Sequence, residues 1–344
     1  MRTGHPDNNF DFWRILAAAM VLFSHQFTLL GRDQPALLLG EGFGSVGVCI
    51  FFCVSGFLVT QSWVRDPHAF RFIQRRFLRI WPALIVVTCL AALVMGPLVS
   101  TLPVSAYFGS AETLHYFKSL VLNIQYVLPG VFSTNPYPRA VNGSLWTIPV
   151  EVRWYWVTLI AGVVGLLRFR HLVLAATLGL AIHHFAIYGA ETNPVHRYGI
   201  EYGLFFAYGA CLNLYRALWE GRALRLALLL LGVAALVAAF GHPVIALWLF
   251  VPFAVIASGL ASTPVIRRFG RFGDLSYGFY IYAFPVQQLI VWWTQASLSP
   301  PVSLALSALG TTVLAYLSWH LVEKPALRLK PRAAAAAPAA QLAV

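Results

Sequence analysis

Long runs of apolar residues follow one another along the chain, interrupted by short polar or basic stretches. Each run is close to the length at which a helix crosses a bilayer core of about 30 Å. The runs are too long and too continuous for the strands of a membrane β-barrel. The pattern predicts an all-α fold, a polytopic transmembrane helical bundle of about ten spans, at residues 12–31, 44–63, 78–99, 145–167, 171–189, 199–218, 223–240, 243–261, 273–296 and 301–323.

Composition and charge place these runs in a membrane. Hydrophobic residues make up 59% of the 344 residues, charged residues make up 10%, and the mean hydropathy is +0.71. With the N-terminus in the cytoplasm, 18 of the 24 Lys and Arg fall in cytoplasmic segments and four fall outside. This asymmetry predicts that both termini are cytoplasmic. It also accounts for the net charge of +12, so we expect membrane lipids and no nucleic acid among the partners.

The spans form one predicted domain. Residues 1–330 hold all of them, and residues 331–344 form an Ala-rich tail that we expect to be disordered. The first span is too long for a removable signal peptide and has charge inside its apolar run. The cysteines, at positions 49, 53, 89 and 211, lie in apolar spans without the other ligands of a metal site. We therefore expect them to pack as small hydrophobes, and we expect no metal.

The first span contains two ionisable residues, Arg14 and His25. They are 11 positions apart, which brings them to one helix face within about 20° and separates them by about 16 Å along the axis. An ionisable group at the centre of a span costs about 2.5 to 3.5 kcal/mol. The pair therefore indicates a polar cavity between helices. The alternative is that Arg14 extends to the cytoplasmic surface and His25 is a hydrogen-bonded packing residue.

The residues from Arg65 to Pro82 are predicted to form a loop, the most basic cytoplasmic segment, and they include Arg75, Arg76 and Arg79. Guanidinium groups three residues apart at the start of a helix present paired donors on one side. This arrangement suits a polyanionic ligand from the cytosol. The alternative is that these arginines set the topology and contact lipid headgroups.

The fourth span begins with a carboxylate and an arginine at membrane depth, Glu151 and Arg153. Glu151 is as far from the outer end of its predicted span as His25 is in the first span, so we expect both about 9 Å below the outer surface. A possible base and a carboxylate at equal depth form a candidate catalytic site. The alternative is a buried ion pair of Glu151 with Arg153 or Arg14.

Two outer segments contain further candidates. Residues 100–144 form the longest interruption, and we expect the apolar part at 113–128 to lie in the membrane interface or fold back as a lid or acceptor platform. Glu201 opens the sixth span as a weaker candidate. A group of polar residues around another outer loop is interpreted as solvated: His183, His184, Glu191 and His196.

Several motifs together resemble the membrane-bound acyltransferase 3 family. They are Asp11, Arg14 and His25 in the first span, FFCVSGFL at 51–58, RFLRIWP at 76–82, SLW at 144–146 with Glu151, SYG at 276–278 with Pro285, and Glu323 with Pro325. The resemblance covers about residues 8–328, and the Arg14–His25 spacing and the paired arginines are its most specific parts. It departs at Ala283, where many members have a histidine.

The resemblance implies a membrane-bound O-acyltransferase, usually an O-acetyltransferase, that takes its acyl group from cytosolic acyl-CoA, most often acetyl-CoA. The implied acceptor is a hydroxyl of a carbohydrate, such as a polysaccharide or a lipid-linked saccharide, or of another envelope or secreted molecule. The implied location is the bacterial inner (cytoplasmic) membrane. Carried over onto this sequence, the motifs make His25 the catalytic histidine, Arg14 its helix partner, Arg76 and Arg79 the paired arginines and Glu151 the matching carboxylate.

We therefore expect Arg76 and Arg79, with Arg75 beside them and Arg14 above them, to bind the donor. In the resulting hypothesis His25 removes the proton of the acceptor hydroxyl as it attacks the thioester, while Glu151 orients the imidazole or stabilises its charge. A covalent acyl-histidine relay is a variant. A function of another class stays open, a proton-coupled transporter of an anionic solute that uses Arg14, His25 and Glu151.

Overall fold

The computed structural model describes residues 8–187 and 194–331. Residues 332–344 of the predicted Ala-rich tail lie outside the described residues. Glu191 and the side chain of His196, two members of the outer polar group, lie outside them as well. Statements about the rest of the chain refer to the described part.

Within residues 8–187 and 194–331, ten long helices make up most of the structure. They are α1 (Phe10–Leu29), α2 (Phe43–Arg65), α3 (Ala69–Cys89), α4 (Thr147–Val163), α5 (Arg170–Ile187), α6 (Pro194–Leu214), α7 (Ala223–Ala239), α8 (Pro243–Leu260), α9 (Ser276–Trp293) and α10 (Pro300–Ser318). Each overlaps one of the predicted spans, so the all-α fold is confirmed. The described strands are short and antiparallel, β1 (Ala36–Leu38) and β2 (Glu41–Gly42), in the loop after α1.

Among the described residues, six helical segments are long and apolar enough to cross a membrane: Phe10–Leu29, Phe43–Arg65, Ala69–Val99, Arg216–Ala239, Pro243–Leu260 and Pro300–Arg328. They identify the chain as a membrane protein of helical-bundle type. The number of spans and the cytoplasmic position of the termini stay predictions. The segment Arg216–Ala239 is the least buried, and its exposed leucines, among them Leu224, Leu228 and Leu236, suit contact with lipid tails.

Helices α1, α2 and α6 approach one another closely at glycines. A Cβ atom at Gly47 of α2 would lie 2.7 Å from the carbonyl oxygen of Ala17 in α1, and one at Gly56 would lie 1.9 Å from that of Phe206 in α6. These positions therefore require glycine, because only a residue without a side chain lets the two helix backbones approach so closely. The large core formed by these helices continues into α8 and α9.

The basic segment after α2 is shorter than predicted, because α3 begins at Ala69 and includes Arg71, Arg75, Arg76 and Arg79. The prediction of a basic loop from Arg65 to Pro82 was therefore wrong. Arg71, Arg75 and Arg79 are spaced four residues apart, which is close to the helical period. Pro82, the predicted end of the loop, lies inside α3.

Two π-helical turns extend the long helices. The first, Leu90–Met95, continues α3, and the buried Tyr107 hydroxyl donates a 2.8 Å hydrogen bond to the carbonyl oxygen of Ala92 in it. The second, Trp319–Glu323, continues α10 into the short helix Lys324–Arg328. Such turns are often found at functional sites, because they rotate the side chains that follow them.

The outer segment between α3 and α4 folds into short helices, Val104–Gly109 and Ala111–Tyr116, around a small core of its own. Gln288 of α9 fixes its far end. The Gln288 side chain accepts a 2.7 Å hydrogen bond from Asn135 and donates to the carbonyl oxygens of Tyr137 and Ala140 at 2.9 and 2.7 Å. The segment therefore forms an ordered cap on α9, and its expected service as a lid or acceptor platform stays a prediction.

Candidate functional site

A cavity of about 370 Å³ lies between α1, α2, α3, α4, α9 and the C-terminal segment. Its lining extends along α4 from Thr147 to Tyr155, which is about 12 Å at 1.5 Å per residue. One end is charged and the other contains hydroxyl and apolar groups. The lining residues are Asp11, Arg14, Val48, Phe51, Phe52, Ser55, Leu58, Val59, Arg76, Arg79, Ile80, Thr147, Ile148, Glu151, Tyr155, Asp274, Ser276, Tyr277, Tyr280, Trp319, Leu327 and Lys330.

The charged end is organised by Asp274, just before α9. Its Oδ2 lies 3.0 Å from Arg14 Nη1 and 2.9 Å from Arg79 Nη2, and its Oδ1 accepts a 2.6 Å hydrogen bond from Ser276. Arg79 Nη1 also lies 3.6 Å from Oε2 of the buried Glu323. Arg14 is 3.5 Å from Asp11. These contacts compensate the positive charges of Arg14 and Arg79, whose burial without a partner would cost free energy.

Arg76 lines the same cavity, but its positive charge has fewer partners than the charges of Arg14 and Arg79. Its guanidinium carbon lies 5.6 Å from the ring centre of Tyr155 and 5.9 Å from that of Phe72. Its Nε is buried without a hydrogen-bond partner, and no ion pair within 4.0 Å involves it among the described residues. A half-buried guanidinium that forms no ion pair and lies beside two aromatic rings suits an anionic ligand.

Glu151 lies in the wall of the cavity and is held by two hydroxyl groups. Its Oε1 accepts hydrogen bonds from Ser55 at 2.7 Å and from Tyr155 at 2.5 Å. Tyr155 follows Glu151 by one helical turn, and Ser55 belongs to α2. No described ion pair joins Glu151 to Arg153 or Arg14 within 4.0 Å, so the alternative of a buried ion pair was wrong, and Arg153 is exposed.

His25 is not among the residues that line the cavity. Its ring packs edge to face on Phe284 of α9, with ring centres 5.2 Å apart, and its Nδ1 is buried without a hydrogen-bond partner. Phe284 follows the cavity residue Tyr280 by four positions, which is about 6 Å along α9. His25 thus lies about one helical turn past the hydroxyl end. It forms no ion pair with Glu151 within 4.0 Å, so the expected direct contact is not formed.

The hydroxyl end itself is a hydrogen-bonded corner. Tyr280 donates to the carbonyl oxygen of Ser144 at 3.0 Å, and its hydroxyl lies 2.8 Å from that of Thr147. Beyond it, Phe284 leaves no room for a side chain at Gly143, where a Cβ would lie 2.5 Å from the ring. The corner and Phe284 therefore stand between the cavity and His25.

Arg75 points away from the cavity. It forms an ion pair with Asp66 in the turn before α3, and Arg71 contacts the same carboxylate at 2.5 Å. The hydrogen bond from Arg71, with further contributions from Arg75, lowers the pKa of Asp66 to about 2. Of the four residues expected to bind the donor, the structure brings together Arg14, Arg76 and Arg79 and places Arg75 elsewhere.

The outer polar group is not uniformly solvated. His184 is buried, and its Nε2 lies 3.8 Å from Oε2 of the buried Glu201, whereas His183 is exposed. The interpretation of His184 as a solvated loop residue was wrong, because α5 and α6 pack together at this point. His183, His184 and Glu201 do not line the cavity.

Three cavity residues on which the site depends were not among the candidates from the sequence: Asp274, Tyr155 and Lys330. Tyr155 was within reach, because it lies one helical turn after Glu151 on the same face. Asp274 lies at the start of the predicted span 273–296, and Lys330 follows the predicted span 301–323. Charged residues are common near the ends of spans, so nothing in the sequence pattern distinguished these two.

Known proteins with similar sequences cover nearly the whole chain. The family model described as "Acyltransferase domain" matches residues 7–320, which include every cavity residue except Leu327 and Lys330. An O-acetyl transferase of Shigella phage Sf6 is 31% identical over 93% of this chain and 96% of its own length. Nodulation protein 10 of Rhizobium leguminosarum bv. viciae is 31% identical over 95% of each chain. No solved structure matches the chain.

Proposed function

Because this chain belongs to the acyltransferase family that its motifs indicated, we propose that it moves an acyl group, most simply acetyl, from acyl-CoA to a hydroxyl of a carbohydrate or another envelope acceptor. Family membership favours acyl transfer over the transporter alternative. The cavity is the observation that supports an acyl-CoA donor most directly. One end of the cavity is cationic, and the rest is lined by apolar and hydroxyl side chains. Acyl-CoA has the same order along its length, with charged phosphates at one end, then an uncharged arm, then the thioester.

The phosphates would bind at the charged end. Arg14, Arg76, Arg79 and Lys330 supply four cations there. Arg14 and Arg79 are paired with carboxylates, whereas Arg76 and Lys330 form no ion pair within 4.0 Å among the described residues, so an anion is favoured beside these two. Arginine forks bind phosphate oxygens in pairs, and Arg76 is available because no described carboxylate lies within 4.0 Å of its guanidinium. The uncharged arm would then extend along α4 past Glu151 toward Thr147.

The chemical step would take place at the hydroxyl end. The acceptor oxygen forms a bond to the acyl carbon, the bond from that carbon to sulfur breaks, and the hydroxyl proton passes to His25 and finally to the thiolate of CoA. The Nδ1 of His25 has no hydrogen-bond partner and would therefore be available to accept the hydroxyl proton. Reaction requires Phe284 to move aside or the thioester to pass it, because Phe284 lies against His25.

Glu151 would act through the cavity and not by direct contact with His25. Its carboxylate is oriented by Ser55 and Tyr155, and it lies within the wall along which the thioester would extend. There it would stabilise the positive charge of Arg76, which shares Tyr155 as a neighbour. The role expected for Glu151 as the partner of the imidazole is thereby replaced by a role in donor binding.

The test uses the full chain in lipid nanodiscs with acetyl-CoA and a set of soluble saccharides. Release of CoA is followed with a thiol reagent, and acetyl esters on the saccharides are identified by mass spectrometry. We expect ester formation with at least one saccharide and loss of both signals in His25→Ala, while the exposed Glu112→Gln retains them. A chain that neither binds acetyl-CoA nor forms an ester with any hydroxyl acceptor would refute the proposal.

A further inference from the structure

The C-terminal segment contributes a cation to the cavity that the family match does not include. After the π-helical turn Trp319–Glu323 and the short helix Lys324–Arg328, the chain turns so that Leu327 and Lys330 line the cavity wall. Gln74 of α3 supports this turn through a 3.5 Å hydrogen bond to the carbonyl oxygen of Leu329. Lys330 thus faces the same space as Arg76 and Arg79.

Lys330 differs from Arg14 and Arg79 in having no neutralising partner. Arg14 and Arg79 share Asp274, and Arg79 has Glu323 as a second neighbour. Lys330 forms no ion pair within 4.0 Å and no side-chain hydrogen bond to any described residue. A partly buried ammonium group with three free donors in a cationic cavity requires an anion from outside the chain.

We propose that Lys330 binds a phosphate of the acyl-CoA donor and thereby determines the affinity of this protein for the phosphorylated end of its substrate. The inference rests on the proposed function, and it adds a donor contact that lies ten positions past the end of the family match. The phosphate would bind between Lys330 and the neighbouring Arg76, where no carboxylate of the described residues forms an ion pair with either cation.

A pH signature follows from the surroundings of Lys330. The other titratable groups that line the cavity with Lys330 are Asp11 and Arg14 of α1, Arg76 and Arg79 of α3, Glu151 and Tyr155 of α4, Asp274 before α9, and Tyr277 and Tyr280 of α9. Burial, followed by repulsion from Arg76 and Arg79, lowers the pKa of Lys330 to about 8. Lys330 therefore loses its charge as the pH rises through 8. A bound phosphate favours the charged form, so the affinity for acyl-CoA should fall over the same range.

The experiment measures binding of acetyl-CoA and of acetylpantetheine, which has the same thioester without the phosphates, to the full chain in nanodiscs. Lys330→Ala should bind acetyl-CoA about tenfold more weakly and acetylpantetheine unchanged. Lys330→Arg should retain the affinity. Between pH 7 and 9 the wild-type affinity should fall relative to Lys330→Arg by up to about tenfold, since arginine stays charged. Arg328→Ala, an exposed cation of the same segment, is the matched control.

The results that would overturn the role of Lys330 differ from those that would overturn the proposed function. Unchanged acetyl-CoA affinity in Lys330→Ala, or an equal loss for acetylpantetheine, would overturn the phosphate contact. The tenfold difference should persist in nanodiscs of phosphatidylcholine and of phosphatidylglycerol; its disappearance in phosphatidylglycerol would assign Lys330 to lipid headgroups and also overturn the inference. Failure of the wild-type chain to bind acetyl-CoA at all would refute the proposed function itself, whereas wild-type binding without Lys330 dependence would refute this inference alone.

Discussion

Arg14 of α1 and Arg79 of α3 contact the same oxygen, Oδ2 of Asp274, at 3.0 and 2.9 Å. One carboxylate therefore ties the first helix, the third helix and the start of α9 together at the charged end of the cavity. The two arginines are also contacted by Asp11 and Glu323, so the charges at this end form one connected cluster. Its stability and its capacity to bind anions are consequently linked through Asp274.

The first prediction concerns Asp274→Asn. Removal of one partner from a buried ionic cluster typically costs about 3 to 5 kcal/mol, because the remaining charges are left uncompensated. We expect a lower melting temperature in detergent and a larger rise on addition of acetyl-CoA than in the wild type, because phosphate would replace the lost carboxylate. The control is Glu112→Gln, which removes the exposed pair with Arg139 and should change stability by about 0 to 1 kcal/mol. Equal melting temperatures for Asp274→Asn and the control would contradict this prediction.

The second prediction separates the neighbouring arginines of α3. Arg76→Ala and Arg79→Ala should weaken acetyl-CoA binding by about tenfold or more, because each removes a charge-assisted contact. Arg75→Ala should leave the affinity close to wild type, since Arg75 pairs with Asp66 away from the cavity. Isothermal titration with each variant in nanodiscs measures the difference. Equal losses for all three would mean that the arginines act through the general charge of the cytoplasmic face.

Much of this site was visible in the sequence. The spacing of Arg14 and His25 indicated a polar interior, and Arg14, Arg76, Arg79 and Glu151 do line one cavity. The equal depth of His25 and Glu151 along their helices was a weaker guide to their contact, because depth does not show in which direction each side chain points around its helix axis. Glu151 turns toward Ser55 and Tyr155, while His25 meets Phe284.

Contacts made across long sequence distances could not be foreseen. Asp274 meets Arg14 over 260 positions, and Lys330 reaches the cavity only because a π-helical turn redirects the chain after α10. Neither relationship has a periodic signature. The start of α3 differs from the prediction for a local reason. A cluster of basic residues before a proline is typical of a loop, whereas Arg71, Arg75 and Arg79 recur at a helical spacing.

The third prediction concerns His25. His25→Ala should lower acyl transfer by about 10² to 10⁴, the usual contribution of a general acid or base. Acetyl-CoA affinity should remain near wild type, because His25 does not line the cavity. The exposed His183→Ala provides the matched control. Turnover close to wild type in His25→Ala, with a normal melting temperature, would remove His25 from the mechanism.

The fourth prediction concerns the hydroxyls that hold Glu151. Tyr155→Phe removes the 2.5 Å hydrogen bond to Glu151 and leaves the ring beside Arg76 in place. We expect the KM for acetyl-CoA to rise several-fold while kcat changes less, because Glu151 is assigned to donor binding. Thr158→Val, a change on the same helix away from the cavity, is the control. A loss confined to kcat would instead place Glu151 in the chemical step.

The last prediction concerns the sides from which the substrates arrive. Arg14, Arg79 and Lys330 mark the charged end of the cavity, and the predicted topology places that end toward the cytoplasm. His25 lies about a helical turn past the opposite end, under the ordered segment that Gln288 fixes to α9. A thin acyl-CoA arm can cross this distance, whereas a hydrated saccharide would have to leave its water behind to reach the charged end.

Sealed vesicles with the chain in a single orientation test this geometry. Acetyl-CoA supplied only on the side of the chain termini should acetylate a membrane-impermeant saccharide supplied only on the other side. The control reverses the two substrates and should give no ester, and a detergent-opened sample shows that the enzyme is active. Ester formation only when both substrates share the cytoplasmic compartment would contradict transfer across the membrane, even if His25 remained essential, because it would place the acceptor at the same end of the cavity as the donor.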